Sequence, residues 1–194
     1  MKLVFFDFDG TLTRKDTLFS FLKFAKGNFH FVAGLLLFLP LFAGLAAGFF
    51  DAGKVKARLL SFFLKGETRE QLETLGKAFC SGPLKDQLRP ELMQKLKEYR
   101  QEGREIVLAS ASCDAWVAPF CAENKIACIC TGLAYDAANR FTGNFATGNC
   151  KGEEKKRRLL AAYDLSQYSH ITAYGNSPDD LPMLELAHEK HMIR

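Results

Sequence analysis

The chain has 194 residues, of which 48% are hydrophobic and 25% charged, and its formal net charge is +4. This composition excludes an intrinsically disordered chain, a collagen and a small disulfide scaffold, and the charge is too small to indicate a nucleic-acid-binding protein. The six cysteines contain no CxxC pair, so we expect reduced, structural thiols in a cytoplasmic protein and no zinc ribbon.

Short apolar runs alternate with amphipathic segments along the chain and predict strands alternating with helices. The first strand is Leu3 to Phe6, and residues 14–88 have the pattern of helices. The elements predicted after residue 88 are a helix opening at 89–91, a strand over 105–109, a helix near 114–124, a strand near 126–130, a hairpin over 133–145, a helix over 151–163, a strand over 171–174, a last helix and the start of a further strand at 192–193.

This alternation predicts an α/β fold with a doubly wound parallel sheet and right-handed crossovers. We expect a core domain of residues 1–13 and 89–194 and an inserted helical cap of residues 14–88. Ligands of such sheets bind beyond the carboxyl ends of the strands. Three predicted strands end in polar clusters, which should therefore meet: Asp7 and Asp9, Ser110 and Ser112, and Asn176 with Asp179 and Asp180.

Asp7 and Asp9 are separated by a single phenylalanine. Two carboxylates this close repel each other unless a cation lies between them or one is protonated. Mg²⁺, which prefers oxygen ligands, would relieve the repulsion. A solvated turn is the alternative, because Asp-Gly is a common turn dipeptide; the convergence of three polar clusters at one edge favours the metal site.

The segment Asp7-Phe8-Asp9-Gly10-Thr11 resembles the DxDGT nucleophile motif of the haloacid dehalogenase superfamily of phosphohydrolases. A serine after a strand, a lysine at the start of a helix and an acidic loop follow in that family's order, so the resemblance spans residues 5–181. The chain is most similar to the phosphoserine phosphatase-like subgroup, whose helical cap follows the first strand. Its long apolar cap and its Cys150-x-Gly152-x-x-Lys155 pattern also resemble phosphatidylglycerophosphatase C.

The resemblance implies that Asp7 attacks phosphorus and forms an aspartyl-phosphate, while Asp9 acts as general acid and then as general base. It also implies a Mg²⁺ ion held by the Asp7 carboxylate, the Asp9 backbone carbonyl and the last acidic loop. Ser110 and the N–H of Ala111 are expected to bind phosphate oxygens. Further residues expected at the substrate are Thr11, Asp16 and Asp179; for Asp16 the alternative is that it caps the following helix.

Two lysines match the family's phosphate-binding lysine. Lys151 precedes a glycine, as in phosphoserine phosphatases, and Lys155 follows that glycine by three residues, as in the lipid phosphatase. Residues four apart share a helix face, so both remain candidates.

The last motif of the family usually begins Gly-Asp, but this chain has Gly175-Asn176. An amide oxygen can bind Mg²⁺ but brings no charge. We expect Asn176 to bind the metal through this oxygen and Asp179 or Asp180 to restore negative charge nearby. The alternative is a weakened metal site with low activity.

The 22 residues from Phe29 to Phe50 contain no Lys, Arg, Asp or Glu. As one helix they would be about 33 Å long, enough to cross a bilayer, but a single crossing would place Asp7 and Ser110 on opposite sides. We therefore expect two helices broken near Pro40. They either form the core of the cap or dip into one leaflet, flanked by cations at Lys23, Lys26, Lys54, Lys56 and Arg58.

The sequence thus predicts a Mg²⁺-dependent phosphatase for a phosphate monoester, with a lipid phosphate such as phosphatidylglycerophosphate as the leading substrate. The alternatives are a phosphatase for a small soluble substrate such as phosphoserine, and a membrane-associated phosphate-binding module with weak or no catalysis. We expect a cytoplasmic protein, free or peripheral at the inner face of the membrane, that does not bind nucleic acid.

Overall fold

The strands of the computed structural model, which describes residues 1–194, form two sheets. In chain order the strands are β1 Lys2–Phe6, β2 Glu105–Cys113, β3 Ala127–Thr131, β4 Leu133–Tyr135, β5 Phe141–Phe145, β6 His170–Gly175 and β7 Glu189–Met192. The main sheet is wholly parallel in the order β3-β2-β1-β6-β7. β4 and β5 form the predicted antiparallel hairpin outside it.

Seven α-helices connect or cover the strands. They are α1 Thr17–Ala46, α2 Ala52–Leu64, α3 Arg69–Ser81, α4 Pro90–Gln101, α5 Asp114–Asn124, α6 Gly152–Ala162 and α7 Leu181–Leu184. Side chains alternate along β1, because successive residues of a strand point to opposite faces: Val4 and Phe6 join the larger core cluster, and Leu3 and Phe5 join the smaller one. The predicted doubly wound α/β fold is confirmed.

The helices α1, α2 and α3, which we call the helical insertion, lie between β1 and β2 in the chain. Thr13 and Leu88 form an antiparallel bridge at the two ends of this segment. The Arg14 N–H donates to the Gln87 carbonyl and the Arg89 N–H to the Leu12 carbonyl, both at 2.8 Å. The chain therefore leaves the sheet and returns to it at one point, close to the end of β1.

α1 is broken at Gly27, where φ is +75° and ψ is 164°, a conformation that essentially only glycine adopts. The ring of Phe19, before the break, contacts the rings of Phe31 and Phe42 after it, with centroids 6.4 and 6.3 Å apart. The second part of α1 therefore folds back along the first.

The predicted break near Pro40 is wrong, because the helix runs through this residue to Ala46. Pro40 is exposed and removes a single backbone hydrogen bond, which the rest of the helix tolerates.

Two strands differ from their predicted bounds by more than one residue. β2 continues to Cys113, so Ser110 and Ser112 lie in the last part of the strand, where the pairing with β3 shifts register. β7 begins at Glu189, three residues before the predicted start. All six cysteines are free thiols.

Candidate active site

A cavity of about 570 Å³ lies beyond the carboxyl ends of β1, β2 and β6, with α1 and α2 on its far side. The three polar clusters meet in it as expected. Its lining includes the side chains of Asp7, Asp9, Ser110, Ser112, Asn176, Asp179 and Asp180 and the backbone of Ala111.

Asp7 follows β1 directly, and its N–H donates to the Tyr174 carbonyl of β6 at 2.9 Å, which fixes the backbone at the sheet edge. Its carboxylate accepts from Lys155 Nζ at 2.8 Å and from the Thr11 hydroxyl at 2.9 Å. Burial raises the pKa of Asp7 to about 6, against the opposing effect of Lys155. Ionised Asp7 thus depends on the ammonium beside it.

Lys155 is buried and donates to both Asp7, at 2.8 Å, and Asp180, at 2.6 Å. Burial alone would lower the pKa of Lys155, but the two carboxylates outweigh it and raise the pKa above its ordinary value. The side chain therefore stays protonated and carries the one cationic charge at the base of the cavity.

Lys151 takes a different position from Lys155. It precedes α6 in extended conformation, because the helix begins only at Gly152, and its ammonium pairs with exposed Asp179 at 3.0 Å on the cavity rim. The two lysines do not share a helix face, and of the two only Lys155 contacts Asp7.

The Asp9 carboxylate is held by donors from two elements. One oxygen accepts from the N–H and hydroxyl of Thr17, both at 2.7 Å, and the other accepts from the Ser112 hydroxyl. Burial and the charge of Asp16 raise the pKa of Asp9 in spite of these bonds. No sequence motif points to Thr17, or to Trp116, whose indole N–H donates to the Thr17 hydroxyl at 2.8 Å.

Ser110 is buried at the cavity, and its Oγ accepts from the Ser112 N–H at 3.0 Å. The next carbonyl, that of Ala111, accepts from the Thr131 hydroxyl at 2.7 Å and from Lys56 Nζ of α2. Lys56 thus faces the cavity, and the expectation that it flanks a lipid-facing segment is wrong.

Thr11 and Asp16, which the sequence places at the substrate, both make hydrogen bonds within the protein. Thr11 is completely buried and donates to Asp7 and to the Asn176 amide oxygen, at 2.9 and 3.3 Å. It supports the site from beneath, which corrects the expectation that it contacts substrate. Asp16 caps α1 by accepting from the Leu18 N–H at 2.8 Å, while it also borders the cavity.

Asp180 holds the last loop together. One carboxylate oxygen accepts from the N–H groups of Asn176 and Ser177, each at 3.1 Å, and from the Ser177 hydroxyl at 2.9 Å, while the other accepts from Lys155. Burial would raise the pKa of Asp180, but the charge of Lys155 and the hydrogen bonds from Lys155, Asn176 and Ser177 outweigh it and lower the pKa.

The oxygens near Asp7 fit a bound Mg²⁺. The Thr11 hydroxyl bonds to both Asp7 and Asn176, so a carboxylate and an amide oxygen lie on one side of the loop. At the base of the cavity the carboxylates of Asp7, Asp9 and Asp180, when all three are ionised, exceed the Lys155 ammonium by two negative charges, which a divalent cation would neutralise. No three His, Cys, Asp or Glu side chains form a metal-binding group, so the ion would depend on the Asn176 amide, a backbone carbonyl and water.

Asn176 requires glycine at position 10. A Cβ added to Gly10 would lie 2.1 Å from the Asn176 amide nitrogen, and Gly10 has a φ of +78°. The glycine of the DxDGT segment therefore brings the loop after β1 against the loop after β6.

Comparison with known proteins agrees with this geometry. The family model of haloacid dehalogenase-like hydrolases matches residues 4–185. Protein CicA from Caulobacter vibrioides is 36% identical over 191 residues, which are 97% of this chain and 84% of CicA.

Solved structures share the fold. A protein of unknown function from Bordetella pertussis Tohama I superposes with a TM-score of 0.82 at 19% identity, over 97% of this chain and 88% of that one. A substrate-bound phosphoserine phosphatase superposes with a TM-score of 0.66 at 18% identity, over 97% and 84% of the two chains. The chain belongs to the haloacid dehalogenase-like hydrolase family.

Proposed function

We propose that the protein is a Mg²⁺-dependent phosphatase that hydrolyses a phosphate monoester through a covalent aspartyl-phosphate at Asp7. The observation that supports this most strongly is the position of Asp7, which lies in the cavity with Lys155 at 2.8 Å. The family assignment supports the same class of reaction.

In the proposed reaction an Asp7 carboxylate oxygen attacks phosphorus, and the bond from phosphorus to the leaving oxygen breaks. Asp9 donates its proton to that oxygen, which agrees with its raised pKa, and then takes a proton from the water that hydrolyses the aspartyl-phosphate. Lys155 and Ser110 bind the phosphoryl oxygens. When held by Asp7, Asn176 and the Asp9 carbonyl, Mg²⁺ would supply positive charge beside the phosphoryl group.

We further propose that residues 14–88 act as a cap domain over a core of residues 1–13 and 89–194, and that the substrate is amphipathic. Most of the cavity wall formed by α1 and α2 is apolar, with Leu18, Phe19, Phe42, Leu45, Val55 and Leu59. The cations Arg14, Lys15 and Lys56 also border the cavity, and none of them pairs with a carboxylate.

This lining favours a phosphorylated glycerolipid, such as phosphatidylglycerophosphate, at the cytoplasmic face of a membrane. Phosphoserine is the second candidate, because a phosphoserine phosphatase shares the fold and the cations at the cavity border could pair with its carboxylate. The apolar side chains of the wall would have nothing to contact in it.

The test is turnover of an aryl phosphate and of both candidate substrates, with and without Mg²⁺, by the wild type and Asp7→Asn. We expect Mg²⁺-dependent turnover that Asp7→Asn abolishes, and faster hydrolysis of phosphatidylglycerophosphate in detergent than of phosphoserine. Binding of phosphate without turnover of any ester would instead favour a phosphate-binding module.

A further inference from the structure

We propose that the helical insertion docks on the surface of an anionic lipid bilayer through one side of α1, which we call the outer face: Phe29, Val32, Leu36, Leu37, Leu39 and Pro40. The delivery of a lipid substrate to the cavity rests on the proposed function, whereas the docking itself does not.

The outer face is apolar although nothing in the protein covers it. The opposite side of α1 packs inward: Phe31 contacts Phe63 and Phe38 contacts Phe62 of α2, with ring centroids 6.1 and 5.5 Å apart. Leu36 and Leu37 are 60% and 67% exposed. A patch of large apolar side chains of this kind marks an interaction surface.

α1 has the length and composition of a membrane span, and most of its apolar segment is exposed. Its packing excludes a crossing in the folded protein. Phe19 and the aromatic residues of α2 contact its inner side, and Lys26 of α1 forms an ion pair with Glu67. These contacts would have to break before α1 could cross a bilayer. Because its other side is packed against the protein, α1 can present its free apolar side to a bilayer only by lying in the plane of the interface.

Exposed cations border the outer face. Lys54, Arg58 and Phe62 lie four residues apart and so share one side of α2, and the Phe62 side chain lines the same groove as Leu37 of the outer face. Neither Lys54 nor Arg58 pairs with a carboxylate. Anionic lipid headgroups would neutralise these charges, whereas a second copy of the chain would bring the same unpaired cations and an outer face without acidic residues.

The C-terminal end of α1 connects the outer face to the cavity. Phe42 and Leu45 follow the outer face along the same helix but lie on its inner side with Phe38, and they line the cavity. Exposed Phe49 comes directly after the end of α1 at Ala46. Docking through the outer face would bring this end of α1, and with it the apolar part of the cavity wall, close to the bilayer surface, so that the chains of an amphipathic substrate could remain in the lipid during hydrolysis of its headgroup.

The test is co-sedimentation of the full chain with vesicles of phosphatidylcholine, with and without phosphatidylglycerol. We expect phosphatidylglycerol to increase partitioning at least about tenfold and 0.5 M NaCl to reduce the increase. Leu36→Glu combined with Leu37→Glu should reduce partitioning at least about tenfold. Leu160→Glu is the matched control, because Leu160 is an exposed leucine, 49% accessible, on α6, which packs on the other side of the sheet.

Lys54→Glu combined with Arg58→Glu should remove the preference for phosphatidylglycerol without disturbing packed residues. The docking proposal would be overturned if the wild type did not bind vesicles, or if the wild type and the leucine variant bound them equally. It would also be overturned by a dimer in solution that the leucine variant dissociates. Turnover of a soluble aryl phosphate without vesicles should be unchanged in both double variants. If the protein hydrolyses the aryl phosphate but does not bind vesicles, only the docking proposal is rejected. If it does not hydrolyse the aryl phosphate, the proposed function is rejected.

Discussion

The ammonium of Lys155 lies 2.8 Å from the carboxylate of Asp7, although 148 residues separate them in the chain. The same ammonium lies 2.6 Å from Asp180, which in turn binds the backbone of the loop after β6. One buried lysine thus joins the loop after β1, the start of α6 and the loop after β6, and the electrostatics of the cavity depend on it.

Replacing Lys155 with methionine should lower kcat/KM for an aryl phosphate by about 10²–10³-fold, because a preorganised cation near the phosphoryl oxygens is lost. Lys151→Met is the matched control, since Lys151 pairs with Asp179 at the exposed rim, and should change kcat/KM by less than about tenfold. Circular dichroism establishes that both variants fold. A larger loss in Lys151→Met would show that the rim lysine binds the phosphate.

Ser112→Ala removes a hydrogen bond to the ionised form of Asp9 and should raise the pKa of Asp9 further. We expect the acid limb of the kcat profile to move to higher pH, because Asp9 would then lose its proton, and so become able to act as base, only at a higher pH. Ser112→Thr keeps the hydroxyl and should restore the wild-type profile. An unchanged profile in Ser112→Ala would contradict the positioning role of Ser112.

Asn176→Asp should lower the Mg²⁺ concentration for half-maximal activity by about tenfold or more, because a charged ligand replaces a neutral one. Asn176→Ala removes the oxygen and should raise that concentration by a similar factor. Both are measured by Mg²⁺ titration of aryl phosphate turnover. Equal titration curves for the wild type and both variants would mean that Asn176 does not bind the metal.

Without metal, ionised Asp7 should destabilise the fold. The folded pKa of Asp7 is about 6 and its ordinary value is 3.8, so between these values the folded state binds more protons than the unfolded state and loses stability as pH rises. Asp7→Asn should therefore exceed the wild type in free energy of unfolding by on the order of 3 kcal/mol above pH 6.

That difference should shrink towards zero as the pH falls below 3.8, where Asp7 is protonated in both states. Urea unfolding in EDTA, followed by the fluorescence of the single tryptophan, Trp116, measures it. A difference that grows as the pH falls would contradict the direction of the pKa shift.

The sequence identifies the parts of the site that depend on local pattern. An apolar strand followed by Asp7-Phe8-Asp9-Gly10-Thr11 predicts a strand end, and the alternation of elements predicts that Ser110 and Asn176 share its edge. The sequence alone does not distinguish Lys151 from Lys155, because their positions depend on α6 beginning at Gly152, one residue after Lys151.

Contacts that the helical insertion makes with the strand ends also could not be predicted from the sequence. Lys56 has the pattern of a surface cation but reaches the Ala111 carbonyl, because α2 packs over the end of β2. Thr17 holds Asp9 only because α1 starts beside the loop after β1. The break at Gly27 in place of Pro40 follows from the folding back of α1, which long-range aromatic contacts stabilise.

Covalent phosphorylation of Asp7 can be measured directly by quenching the enzyme during turnover, reducing it with borohydride and sequencing its peptides by mass spectrometry. Reduction of an acyl phosphate converts that aspartate to homoserine. We predict homoserine at position 7 alone, dependent on substrate and Mg²⁺ and absent from Asp7→Asn. Homoserine at another aspartate, or an active enzyme with unmodified Asp7 under every quench condition, would contradict nucleophilic attack by this residue.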